Sequence, residues 1–229
     1  MFIHEMFQQK PCVFSVEVFP PKKAGAAEET LYPVLRELCT LGPDYISVTY
    51  GAGGGTAGQS TAKIASYIKN GLHVEALAHL TCVNSTRVQV EETLTRLRED
   101  NVENVLALRG DINPDLPRRM DFLHASDLAK AIAQTGGFGV AGACYPEGHV
   151  ESPSLKADVE SLRYKAEAGV SHLITQLFFD NVSYYRFLNM ARKAGLSLPV
   201  QAGIMPIVSQ RQIAPWRSAP PACRRSLLK

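Results

Sequence analysis

One acidic residue stands inside an apolar run: Glu17 in Phe14-Ser15-Val16-Glu17-Val18-Phe19, just ahead of Pro20-Pro21. A carboxylate in such surroundings is costly unless it has a partner or a raised pKa. A carboxylic acid kept partly protonated near neutral pH is what general-acid catalysis requires. The competing reading is a solvated carboxylate at a strand edge. Asp111 closes Ala107-Leu108-Arg109-Gly110-Asp111 and reads equally well as a turn aspartate paired to Arg109. His79, in Ala78-His79-Leu80-Thr81, reads either as a site residue or as a satisfied core histidine. No HxH or HxxE spacing accompanies it, so no metal site is expected. Gln176 lies in an apolar run, where a buried amide needs several partners and a ligand can supply them. Asp180 is expected to cap the helix after Phe178-Phe179. The sequence displays no Ser-His-Asp or Cys-His arrangement, so hydrolysis is not expected.

These residues sit in a repeating texture. Apolar runs occur at Val13–Phe19, Tyr45–Tyr50, Val74–Leu80, Asn104–Leu108, Gly139–Tyr145, His172–Phe178 and Pro199–Ile204. They are near-continuously apolar, as suits parallel strands covered on both faces. Between them lie helical segments. Ala27–Leu41 places Leu31, Val34, Leu35 and Leu38 on one face, and Thr86–Asp100 does so with Val90, Leu94 and Leu97. Ser126–Gln134, Leu155–Ala168 and Asn181–Ala194 follow the same pattern. Gly71, Gly136, Gly169 and Gly195 stand where left-handed helix caps are favoured. The alternation predicts one α/β domain over residues 1–212, followed by an irregular tail at 213–229. Polar residues gather at the carboxyl ends of the strands: Glu17, Thr49, His79, Arg109, Asp111, Tyr145, Glu147 and Gln176. A (β/α)8 barrel brings all such ends to one mouth, whereas a doubly wound sheet concentrates them at one switch point. The barrel is therefore expected. The run Gly53-Gly54-Gly55-Thr56-Ala57-Gly58 fits a dinucleotide fingerprint, but the acid that should end the next strand is missing, since Glu75 begins it. It is read as an active-site loop.

The balance of 24 Lys and Arg against 22 Asp and Glu, with basic residues scattered, marks no nucleic-acid partner. No apolar run reaches the roughly 18–20 residues of a membrane span, and the N-terminus does not read as a secretion signal. The five cysteines are far apart, without a CxxC pair, and read as free thiols of a cytoplasmic protein.

Taken in order, Phe14-Ser15-Val16-Glu17-Val18-Phe19-Pro20-Pro21-Lys22, Ser47-Val48-Thr49-Tyr50-Gly51-Ala52, His79-Leu80-Thr81-Cys82 and Ala107-Leu108-Arg109-Gly110-Asp111 resemble signatures of the methylenetetrahydrofolate reductase family. So do Tyr145-Pro146-Glu147 with His149, and Ile174-Thr175-Gln176 with Phe178-Phe179-Asp180. Gly203-Ile204-Met205-Pro206-Ile207 resembles the family's seventh strand. Each motif is weak alone; the ordered set is highly specific.

The resemblance implies a (β/α)8 barrel holding FAD that reduces 5,10-methylenetetrahydrofolate to 5-methyltetrahydrofolate for methionine synthesis, with NADH or NADPH as electron donor. Carried over by motif, Glu17 is the catalytic acid, and Asp111 is an acidic residue near both flavin and folate. Thr49, His79, Arg109, Gly110, Ala125, Tyr145, His149, Asp158 and Lys165 match flavin-contacting positions, and Gln176 and Gln212 match folate-contacting ones. Tyr164 stands where relatives can carry a basic residue, which leaves more of the pyrophosphate to Lys165. The folate ring must open before hydride arrives, which requires a proton at the departing amine. After Gln212 the family's eighth strand has no counterpart in Ile213–Lys229, which reads as a truncated or frameshifted end. An inactive fragment and a flavin-free pterin-binding methyltransferase barrel are the alternatives. A homo-oligomer or a completing partner protein is compatible with all of them.

Overall fold

The computed structural model describes residues 1–209 except 22, 24, 51–54 and 113–118, together with residue 212; for residues 55–57 it gives the backbone alone. The expected tail at 213–229, Cys223 and the first two residues of the glycine-rich run, Gly53 and Gly54, thus lie outside the described residues. Two compact units are present: Met1–Gly142 with Ala168–Val170, and Ala143–Glu167 with the chain from Ser171 onward.

The first unit contains α1 (Ile3–Gln9), β1 (Ser15–Val18), α2 (Tyr32–Cys39), β2 (Tyr45–Val48), α3 (Gly55–Ser66), β3 (Glu75–Thr81), α4 (Arg87–Glu99), β4 (Asn104–Leu108), α5 (Ala125–Thr135) and most of β5 (Gly139–Cys144). All strand pairs are parallel. Glu17 stands opposite Ser47, Ser47 opposite Leu77, Leu77 opposite Asn104, and Asn104 opposite Gly139. The apolar runs form strands because each is covered on both faces: every residue of β2, and Ala76 through Leu80 of β3, is buried. Leu35, Ile64, Ile68, Leu94, Leu97, Leu128 and Ile132 supply the helical side of the core. Thr86 caps α4 by accepting a hydrogen bond from the Gln89 amide, 3.2 Å away.

The second unit contains the end of β5, α6 (Leu155–Glu167), β6 (His172–Thr175), α7 (Asn181–Lys193) and β7 (Val200–Gln201). The Gln176 amide donates to the Cys144 carbonyl at 2.7 Å, and Leu173 pairs with Val200. Asp180 caps α7 as expected, accepting from the Val182 amide at 2.9 Å. Gly203 donates its amide to Thr175 Oγ1, and a Cβ there would lie 2.3 Å from the Thr175 carbonyl oxygen. The position therefore admits only glycine.

Strand order follows chain order from β1 to β7 without reversal. A doubly wound sheet reverses direction around its first strand, so this is the order of a (β/α)8 barrel through its seventh strand. No helix among the described residues is long and apolar enough to cross a membrane.

Several expected elements change at their edges. The predicted helix Ala27–Leu41 is a π turn at Ala27–Leu31 followed by α2. Pro33 lacks the amide that would bond four residues back, and Tyr32 instead donates to the Ala27 carbonyl five residues back. Val34 is 45 % exposed, leaving Leu35 as the residue buried on that face. The runs expected at 172–178 and 199–204 shorten to four and two residues of strand, and Ile204 is exposed. Gly71 closes a π turn with ordinary backbone, and the left-handed residue is His73, at φ 57°.

Helix α1 was not expected. It docks at the amino end of the strands through Asn104, the first residue of β4. Asn104 is buried, its Oδ1 accepting from the Ile3 amide at 2.9 Å and its Nδ2 donating to the Met1 carbonyl at 3.1 Å. Asn104→Ala should leave the buried Ile3 amide without that acceptor and lower stability by about 1–3 kcal/mol. Urea unfolding should show a lower midpoint at unchanged slope; an unchanged midpoint would show that the anchor contributes nothing.

Candidate active site

In the first unit, Glu17 sits near the carboxyl end of β1, and its side chain is 48 % exposed. The apolar neighbours in sequence had suggested deeper burial. They alternate across the strand, and Val18, on the other side, takes the buried position. Even so, the protein around Glu17 desolvates it enough to raise its pKa above the ordinary carboxyl value, opposed by a hydrogen bond from Ser47. The Ser47 hydroxyl lies 3.5 Å from Glu17 Oε2 and 2.7 Å from His79 Nε2, and His79 Nε2 is 3.5 Å from Glu17 Oε2. Ser47 and His79 are both buried. Burial pushes the His79 imidazole down to about 4, so it is neutral at neutral pH.

These three side chains bear a superficial likeness to a hydrolytic triad. In a triad the acid holds the imidazole nitrogen remote from the serine. Here acid and hydroxyl meet the same nitrogen, and the arrangement does not generate a serine nucleophile. Ser47 went unrecognised as a site residue. The signal was available in its placement: a hydroxyl in a run otherwise built of buried apolar residues, two residues before Thr49.

Thr49 follows β2. Its amide donates to the Val18 carbonyl and its own carbonyl accepts from the buried Thr61 hydroxyl, both at 3.0 Å. Arg109, Gly110 and Asp111 follow β4. The amides of Cys82 and Val83 donate to the Arg109 carbonyl at 3.1 and 2.8 Å, continuing the β3–β4 pairing past the strand ends. Gly110 has φ +86°, and a Cβ would approach Thr81 Cβ to 3.1 Å and Val83 Cγ1 to 3.2 Å. This corner requires glycine. Asp111 is exposed. Ala125 is the first residue of α5, where the Asp127 carboxylate accepts from the Leu123 and His124 amides at 2.9 Å each.

In the second unit, Tyr145 and His149 meet edge to face at 4.7 Å. Asp158, buried on α6, accepts from the His149 amide at 3.1 Å and the Ser152 hydroxyl at 3.0 Å. Lys165, also on α6, donates to the Ala143 carbonyl at 2.6 Å. Desolvation lowers its pKa, against the pull of Cys144 and Asp158. Burial pushes the Cys144 thiol up to about 12, so it is inert as a thiolate. Tyr164 is exposed. Gln176 is exposed too, contrary to the buried amide expected: β6 ends at Thr175, and the Gln176 Oε1 turns back to the Leu177 amide at 2.9 Å. Gln212 accepts from the Val208 and Ser209 amides at 2.8 and 3.1 Å.

A parallel (β/α)8-type fold with a carboxyl of raised pKa beside a neutral imidazole belongs to the enzyme-bearing barrels. The particular family follows from sequence. The methylenetetrahydrofolate reductase family model matches residues 2–219, and the chain belongs to that family. It is 37 % identical over 199 residues to the 5,10-methylenetetrahydrofolate reductase of Pectobacterium carotovorum subsp. carotovorum, covering 87 % of this chain and 65 % of that protein. It is 36 % identical to methylenetetrahydrofolate reductase (NADH) 1 of Arabidopsis thaliana, covering 90 % of this chain and 37 % of that protein. The chain thus spans about two thirds of the bacterial relative and a little over a third of the plant one. Among solved structures, oxaloacetate acetylhydrolase aligns with a TM-score of 0.61 at 11 % identity, over 92 % of this chain and 74 % of that one. At that identity the likeness is one of fold alone.

The burial of His79 has a consequence for stability. Between pH 6.5 and about 4 the unfolded chain takes up a proton at this imidazole while the folded chain does not. Stability should therefore fall as pH drops through that window, by up to about 3 kcal/mol from this group. Glu17 works in the opposite sense, since its raised pKa favours the folded form where it is still protonated and that contribution is lost as pH rises. His79→Asn should flatten the acid-side loss in urea midpoints measured from pH 7 to 4. Equal slopes in both proteins would place His79 in contact with water.

Proposed function

We propose that this chain acts in an FAD-dependent oxidoreductase that reduces 5,10-methylenetetrahydrofolate to 5-methyltetrahydrofolate with electrons from NADH or NADPH, feeding methionine synthesis. The observation that carries the reading is the Glu17 carboxyl, its pKa raised by burial, at the end of β1 beside a neutral imidazole. Family membership supplies the reaction for which such an acid is suited.

Opening the five-membered folate ring needs a proton at the departing amine nitrogen. Glu17 is suited to hold that proton because desolvation disfavours its charged form. Neutral His79 preserves it, since a cation 3.5 Å away would favour ionisation. The ring-opened folate is cationic, and the exposed carboxylate of Asp111 offers it a fixed negative charge. Gln176 and Gln212 are assigned to folate.

One observation favours a flavin dinucleotide: burial disfavours the charge of Lys165, a deficit that an anionic pyrophosphate offsets. In the first unit, Thr49, His79, Arg109, Gly110, Asp111 and Ala125 are assigned to FAD by the family resemblance. In the second unit the same resemblance assigns Tyr145, His149, Asp158 and Lys165 to it. Bound there, it supplies hydride transfer.

Glu17→Gln should slow folate reduction by about 10²–10⁴-fold while leaving reduction by the nicotinamide largely intact, because only the folate half-reaction consumes the acid's proton. Stopped-flow measurement of the two half-reactions decides it: equal losses in both would sink the assignment. A protein that takes up no FAD on reconstitution would sink the wider reading.

A further inference from the structure

Ser47 is buried and reaches two partners. Its hydroxyl lies 2.7 Å from His79 Nε2 and 3.5 Å from Glu17 Oε2, and strand register fixes it opposite Glu17. We propose that Ser47 is a positioning residue for the acid: braced against His79, its hydroxyl turns to the Glu17 carboxylate as the proton leaves for the folate amine. The proposal rests on the reading of Glu17 as the general acid.

A serine hydroxyl has one proton and two lone pairs. While Glu17 is protonated, its O–H serves the substrate amine, and Ser47 is free to satisfy His79. During the step the Glu17 O–H bond breaks and an N–H bond forms. The C–N bond of the folate ring then breaks, its electron pair going to the amine nitrogen. This leaves a carboxylate partly removed from water, which needs a donor. Either tautomer of neutral His79 makes Ser47 that donor. With the proton on Nε2, the imidazole donates to Ser47 Oγ and directs the hydroxyl proton toward Glu17. With the proton on Nδ1, Nε2 accepts from Ser47 until the carboxylate, a stronger acceptor, competes for it. The proton of Ser47 is shared throughout and never transferred, so no further base is required.

Among the described residues, the titratable group facing Glu17 is His79 of β3. From β2 comes the Ser47 hydroxyl, and β1 carries no second titratable residue. The ion pair of Lys10 with Asp44 sits at the other end of β1, where Asp44 accepts from the Phe14 amide. The serine is thus placed to set the affinity of the acid for its proton. It stabilises the deprotonated form, which keeps burial from making Glu17 too weak an acid to give its proton up.

The test titrates Glu17 by NMR in the full chain, reconstituted with FAD and labelled with ¹³C-carboxyl glutamate, using Glu17→Gln to assign the signal. Ser47→Ala should raise the Glu17 midpoint by about half to one pH unit, the scale of one hydrogen bond to a partly exposed carboxylate. Ser47→Thr, which restores the hydroxyl, should return it. Should the alanine variant fail to fold, Ser47→Cys keeps the volume with a weak donor and should also raise the midpoint. The alkaline limb of folate reduction should move by the same amount, with reduction by the nicotinamide unmoved. A midpoint that stays put or falls in both Ser47→Ala and Ser47→Cys, while Glu17→Gln abolishes folate reduction, overturns the role of Ser47 alone. Glu17→Gln that reduces folate at the parent rate overturns the acid assignment and this proposal with it.

Discussion

The parallel pairing of β1 with β2 and of β2 with β3 places a carboxyl, a hydroxyl and an imidazole from three strands within 3.5 Å of one another. The register is enforced by burial. Every residue of β2 is buried, and a one-residue slip would exchange its two faces. Tyr45, Ile46 and Val48 are the apolar cover that makes the correct register the stable one, and Ser47 rides with them. The core thereby aligns the polar group rather than any contact made by the polar group itself.

Burying Ser47 and His79 in such a strand pair is costly unless each has a partner, and each partners the other. The imidazole is held neutral by the same desolvation that makes it costly to charge. A lysine or arginine in its place would carry its charge into the strand pair or shift its pKa far. The first unit therefore keeps acid and imidazole close without forming a strong ion pair, because burial holds the imidazole neutral.

Much of the fold was legible because the sequence repeats strand and helix with long apolar runs, and Asn104–Leu108 coincides with β4. Glu17 was conspicuous as a lone carboxylate in Phe14–Phe19, and the structure sets it beside Ser47 and His79. What escaped is what depends on contacts distant in sequence. Serine is too common a strand residue for Ser47 to stand out until register sets it against Glu17. Gln176 looked buried because its neighbours are apolar, but β6 ends one residue earlier and the amide faces out. Helix α1 is seven residues long and buries only Ile3 and Met6, too short for its own periodicity to announce it. Its anchor is an asparagine about a hundred positions away. The π turn before α2 follows from Pro33, but the periodicity of Leu31, Leu35 and Leu38 conceals it.

β4 carries Asn104 at its first residue and the Arg109-Gly110 corner just past its last. At roughly 3.3 Å per residue these lie about 16 Å apart, beyond the range over which substitutions usually couple. One short strand is thus fastened to helix α1 at one end and turns a tight glycine corner against Thr81 and Val83 at the other. A substitution at Asn104 is therefore felt by helix α1 and one at Gly110 by Thr81 and Val83, with little coupling between the two ends of the strand.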